Sequence, residues 1–211
     1  MQLYVVEGAV GSGKSYFVRH LRHHFKSDAS IVFIDEPVEM FENWKGFKPL
    51  SILEDKPTQA NMIQLHIIRT LATFYKNTFL TLDPSIKHVI CDRYVSSSEI
   101  FTRTLFERGL ISHLDKAVLL ETLKDYIEPL PKPNGIIYLN RSPRYCIDNI
   151  KARGRNGEQS FCDTAYVSSL INNYDSYISS IKNEAKILIT ESKDQNKMIE
   201  EFKNFIYTPK D

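Results

Sequence analysis

The chain has 211 residues, 42% of them hydrophobic and 25% charged, with a formal net charge of +1. That is room for one domain with a sizeable core, and one domain over residues 1–211 is expected. The charge balance argues against nucleic acid or an anionic membrane as partner, and no apolar run approaches the roughly 20 residues of a membrane span.

In chain order, residues 3–7, LYVVE, open the pattern as a short, nearly continuous apolar strand. The opening MQLYVVEG enters it directly, so a cytoplasmic protein is expected, and three well-separated cysteines without a CxxC pair fit reduced thiols. A helical stretch follows near 13–26, then a strand over 31–35, IVFID. Residues 42–57 carry glycine, prolines and many charges and read as a loop. A long helix is expected over 58–82, a strand over 87–92, and helices near 95–108 and 114–128. The strand 136–139 leads into a helix over 142–152, and residues 153–162 form a second polar loop. Helix 163–183, strand 186–190 and helix 194–206 complete the chain. Five apolar strands alternating with helices predict an α/β fold, a five-stranded parallel sheet covered by helices on both faces.

Between the first strand and the first helix stands GAVGSGKS, Gly8 to Ser15, which fits G-x-x-x-x-G-K-[ST]. Its glycines allow a tight turn in which the backbone of Gly8, Gly11, Ser12 and Gly13 points N–H groups inward as an anion nest. Lys14 is expected to reach the β- and γ-phosphates of ATP, and the Ser15 hydroxyl to bind Mg²⁺. The chain thus reads as a P-loop kinase or a related nucleotide-dependent protein.

Ligands of open α/β sheets bind beyond the carboxyl ends of the strands, where this chain places Glu7, Asp35, Glu36, Asp92 and Arg93. Glu7 and Asp35 are expected to be solvated loop charges. Glu36, stiffened by Pro37, is the candidate base for an acceptor hydroxyl. Arg153 and Arg155, on the polar loop, suit closure over a triphosphate.

The segments EGAVGSGKS, DEPVE, DRY, IYLNRSPRYCIDNIKARGRNGEQ and YVSSLINNYDSYI resemble, in the same order, the deoxynucleoside kinase family, which includes insect, mammalian and herpesvirus-type enzymes. The resemblance implies phosphorylation of the 5′-hydroxyl of a deoxynucleoside by ATP with Mg²⁺, and a homodimer. It assigns Glu36 as base, Asp92 as a second contact of Mg²⁺ beside Ser15, and Arg93 as the holder of Glu36 and the reacting oxygen. It makes Arg153 and Arg155 a lid over the phosphates and gives Glu158 the sugar 3′-hydroxyl. Gln64 would pair with the base. The long helix supports this independently, because Gln64, Ile67, Ile68 and Leu71 share one face, with Leu65, Ala72 and Phe79 left for a dimer contact.

Phe41 stands where many members have a tryptophan against the sugar and base, and Asn149 where some have an arginine. Ile67, Leu71 and Ser98 occupy the positions around the base edge that carry a charged pair in cytidine- and purine-preferring relatives. Apolar and small walls suit thymidine, with deoxycytidine as a further substrate. A thymidylate or other nucleoside monophosphate kinase is the alternative, disfavoured because Glu36 would repel an acceptor phosphate. A nucleotide-dependent switch is a more distant one. The loop Thr190 to Gln195 is expected near the adenine.

Overall fold

The computed structural model describes residues 1–49, 57–154 and 162–208. Five strands form one parallel sheet: β1 (Gln2–Glu7), β2 (Ile31–Ile34), β3 (His88–Asp92), β4 (Gly135–Leu139) and β5 (Lys186–Thr190). They lie in the order β2-β3-β1-β4-β5. The five strands expected from the sequence are those observed, each within one residue at either end.

The helices are α1 (Lys14–His24), α2 (Val38–Glu42), α3 (Ala60–Leu80), α4 (Ser98–Glu107), α5 (His113–Ile127), α6 (Pro143–Arg153), α7 (Thr164–Ile181) and α8 (Gln195–Tyr207). Helix α2 was not expected, and the helix anticipated over 95–108 is a 3₁₀ turn at Val95–Ser97 followed by α4. Several starts are set by local chemistry. Ser112 and Asp115 form a capping box on α5, Ser142 caps α6 ahead of Pro143, and Asp163 caps α7.

Alternation along each strand sends side chains to two apolar layers. Leu3, Val5, Val89 and Cys91 pack with α3, α4 and α5, while Tyr4, Val6, Ile90 and Ile137 pack with α1 and α8. Ile136 and Tyr138 join Cys146 and Ile150 of α6 and Val167, Leu170 and Tyr174 of α7. Among the described residues no helix is long and apolar enough to cross a membrane.

Because β1 lies between β3 and β4, chain segments leave its carboxyl end toward both sides. A crevice opens there, over the sheet centre. Glu36 and Arg93, singled out at the strand ends, line it.

Candidate active site

The crevice is a cleft of about 550 Å³, a size suited to small-molecule ligands. The glycine-rich turn after β1 forms its floor. Gly13 caps α1 in the left-handed region at φ 93°. Gly11 has φ 78°, and a Cβ there would lie 2.2 Å from the backbone carbonyl oxygen of Cys146, so no other residue fits the turn as built. Asn149 of α6 donates to the Gly11 carbonyl at 2.8 Å, tying the turn to α6. Lys14 donates to the carbonyls of Gly8 and Ala9, each at 2.9 Å. Burial pushes its ammonium down to about 8, Arg93 adds to this, and Asp92 and Glu36 oppose it.

Beside this floor is a buried cluster of charges. Arg93, directly after β3, sits at φ 68°, an uncommon backbone state for a non-glycine residue. Its N–H donates to the Val6 carbonyl at 3.0 Å and its own carbonyl accepts from Tyr75 at 2.5 Å, which hold it there. The guanidinium lies 3.0 Å from the Glu36 carboxylate through Nε and donates to the Tyr174 hydroxyl at 2.5 Å. It also stacks 4.8 Å over the Phe101 ring.

Glu7 corrects the expectation of a solvated charge. It is 1% exposed, accepts from the Tyr174 hydroxyl at 3.0 Å and from the Tyr94 N–H at 3.2 Å, and lies 3.9 Å from Arg93. As the last residue of the central strand it is covered from both sides. Burial pushes its carboxyl up to about 7, with Arg93 and Lys14 pulling it back. Asp35, in contrast, is exposed and pairs with Arg22 at 2.8 Å, as anticipated.

Asp92 is buried, and its Oδ1 has no hydrogen-bond partner. Burial raises its carboxyl above the usual range, opposed first by Lys14, and the Ser15 hydroxyl bonds to it. A buried, incompletely satisfied carboxylate oxygen beside a hydroxyl is a hard-oxygen donor set that fits Mg²⁺, which takes one or two protein oxygens and leaves the rest to phosphates and water.

The other end of the cleft is largely apolar. Gln64, Ile67 and Leu71 of α3 line it together, whereas Ile68, expected on the same face, is buried in the core. Gln64 is 4% exposed and donates through Nε2 to the Ser98 carbonyl at 3.1 Å and to the Thr102 hydroxyl oxygen at 3.3 Å. Ser98 and Phe101 of α4 also line the cleft. Phe101 and Tyr174 are site residues that the sequence reading did not single out. Phe101 follows Ser98 at i+3, a helical spacing that would have found it.

Arg153 lines the cleft from the last position of α6 instead of from the loop beyond it. Arg155, Glu158 and the side chain of Phe41 lie outside the described residues, as do most of the polar loop over 153–162 and part of that over 42–57. The loop after β5 is held by Arg141, which donates to the Thr190 and Ser192 carbonyls at 2.8 and 2.5 Å. Lys193 from this loop sits 4.7 Å over the ring of Tyr145, which lines the cleft. Of the three side chains left for a dimer contact, only Leu65 is exposed; Ala72 is buried and Phe79 packs on the core.

A family model described as deoxynucleoside kinase matches residues 4–207. The chain belongs to the deoxynucleoside kinase family. Among curated members, mitochondrial deoxyguanosine kinase of Xenopus laevis is 27% identical over 193 residues, 82% of this chain and 71% of that protein. Human mitochondrial thymidine kinase 2 is 25% identical over 159 residues, covering 73% of this chain and 56% of the human one. A probable deoxycytidine kinase of fowlpox virus is 28% identical over 177 residues, 82% of this chain and 70% of its own. The present family member spans between about half and three quarters of these relatives' lengths.

In fold, this deoxynucleoside kinase family member is similar to a solved structure of deoxyadenosine kinase from M. mycoides with the products dCMP and a flexible dCDP bound. The TM-score is 0.76 at 20% identity, over 97% of this chain and 98% of that one. The relatives' names span guanine, thymine, cytosine and adenine nucleosides, so the base must be argued from this chain's own cleft.

Proposed function

We propose that the chain transfers the γ-phosphoryl group of ATP to the 5′-hydroxyl of a deoxynucleoside, thymidine first and deoxycytidine second. The observation that carries this reading is the Glu36–Arg93 pair, 3.0 Å apart, between a phosphate-binding turn and an apolar end with one buried amide. Phosphoryl transfer asks little covalent chemistry of the protein and much positioning and charge stabilisation. The Gly8–Ser15 turn and Lys14 hold the triphosphate. Arg93 orients Glu36, and Glu36 accepts the proton of the 5′-hydroxyl as that oxygen meets phosphorus. Gln64, Ile67, Leu71 and Ser98 hold the base, with Phe41 as the wall against the sugar and base. Arg153, with Arg155, closes over the phosphates and limits water, and Glu158 takes the 3′-hydroxyl.

Ser15 and Asp92 would hold Mg²⁺, which when bound neutralises phosphate charge. Met62 and Leu65 of α3 and Leu114 and Val118 of α5 are exposed, on helices linked by Asn61 donating to Asp115 at 2.8 Å. These exposed apolar side chains on two linked helices support a homodimer.

The test is ADP release from ATP with Mg²⁺, offering the four deoxynucleosides and thymidine monophosphate separately. Turnover of thymidine and not of its monophosphate is expected. Turnover of the monophosphate alone overturns the reading and the role of Glu36, and a lack of turnover with every acceptor overturns the kinase reading itself.

A further inference from the structure

Asn149 plays no part in the scheme above, yet it governs which way one peptide of the phosphate turn faces. An anion nest works only while its backbone N–H groups point inward and its carbonyls point away. Glycine at positive φ makes such a turn possible, and also leaves the adjoining peptide unit free to rotate. The unit between Gly11 and Ser12 is held at both ends. Its N–H, that of Ser12, donates to the Ala9 carbonyl at 3.1 Å, and its carbonyl, that of Gly11, accepts from Nδ2 of Asn149 at 2.8 Å. The first bond lies within the turn and moves with it. The second comes from α6 and is the one that fixes the unit to the rest of the fold. Cys146, one helical turn before Asn149, sets its backbone carbonyl against the same glycine, where a built Cβ would meet it at 2.2 Å. Helix α6 thus brackets Gly11 from two points.

We infer that Asn149 is a positioning residue for the phosphate donor, its amide keeping the Gly11 carbonyl turned toward α6 and out of the nest. It acts through the turn and not by touching the nucleotide. The inference rests on the reading that the Gly8–Ser15 turn holds the triphosphate of ATP. A backbone carbonyl only accepts, so the bond needs the NH₂ end of Asn149, which a hydrocarbon side chain of the same size cannot supply. Without it the Gly11 carbonyl is free to swing inward, where its partial negative charge opposes the phosphates. With one hydrogen bond at stake, ATP affinity depends on Asn149 by roughly threefold to tenfold. Asn149 also lines the cleft, so a direct contact with the nucleotide is the rival reading.

The test is a double-mutant cycle on ATP binding, read by calorimetric titration of the wild type, N149L, G11A and the double variant. Leucine keeps the size of Asn149 and removes the donor. N149L is expected to bind ATP roughly threefold to tenfold more weakly, with thymidine affinity unchanged. In G11A the turn has already left α6, so adding N149L is expected to change ATP affinity by less than about twofold. A further loss as large as that of N149L alone means that Asn149 touches the nucleotide itself, and overturns the inference. Wild-type ATP affinity in a folded N149L overturns it too, and so does an equal loss of thymidine affinity, which marks a general structural role. Should N149L fail to fold, N149A replaces it with the same criteria. Each of these outcomes leaves the kinase reading intact, whereas a wild type that binds no ATP overturns the underlying reading and the inference with it.

Discussion

The Glu36 carboxylate lies 3.0 Å from Nε of Arg93, whose own backbone is held at φ 68° by the Val6 carbonyl and the Tyr75 hydroxyl. The carboxylate proposed as the base is thus aimed by a residue in a costly backbone state, of order 1–3 kcal/mol. Strain of this kind persists only where the surroundings over-determine it, and here two strands and a long helix do so.

Replacing Glu36 by glutamine keeps an oxygen for Arg93 and removes the basic group. In E36Q, kcat falls by about 10²- to 10⁴-fold while KM for the nucleoside changes little. Steady-state kinetics check this. A kcat within threefold of wild type removes Glu36 from the chemistry.

Tyr174 joins Arg93 to Glu7 through one hydroxyl, accepting from the first and donating to the second. Y174F leaves both buried charges short of a partner and destabilises the fold by about 1–3 kcal/mol. Urea unfolding measures it. Because Arg93 loses a tether, kcat falls as well, and an unchanged unfolding midpoint contradicts the network.

Glu7 makes stability depend on pH in a stated direction. Burial raises its carboxyl from an ordinary 4.5 to about 7, so the folded state holds this proton more tightly than the unfolded one. The contribution is present in full below about pH 4.5 and is lost as pH rises through about 7. Relative to E7Q, which cannot ionise there, the wild type therefore loses up to about 3 kcal/mol across that window. Urea midpoints of both proteins at pH 5, 6, 7 and 8 give the difference directly; a constant difference contradicts it.

Gly11 tolerates no side chain, because its φ of 78° and the Cys146 carbonyl 2.2 Å from a built Cβ both stand against one. In G11A the turn moves away from α6, and ATP binding weakens by roughly tenfold or more. Calorimetric titration with ATP reads this, and wild-type affinity would show that the turn does not set the phosphate site.

Much of this was legible in the sequence because the signals are local. Five short apolar runs gave the five strands, and the Gly8–Ser15 spacing gave the turn. Gln64 came from the resemblance to the family, and helical spacing set Ile67 and Leu71 on the same face. What escaped depends on packing between distant segments. Glu7 looks like any charge at a strand end until β3 and β4 are known to flank it. Tyr174 is one tyrosine in an apolar helical stripe, and only the fold carries its hydroxyl across 81 residues to Arg93. Ile68 shows the converse, since a shared helical face is wide enough to divide between cleft and core.

The most direct test of the central claim follows the γ-phosphate itself. With γ-labelled ATP, Mg²⁺ and thymidine, the label is predicted to appear as thymidine 5′-monophosphate, at a rate at least about a hundredfold lower in the E36Q reaction. Label released only as inorganic phosphate, or transferred only when thymidine monophosphate is the acceptor, would contradict the account.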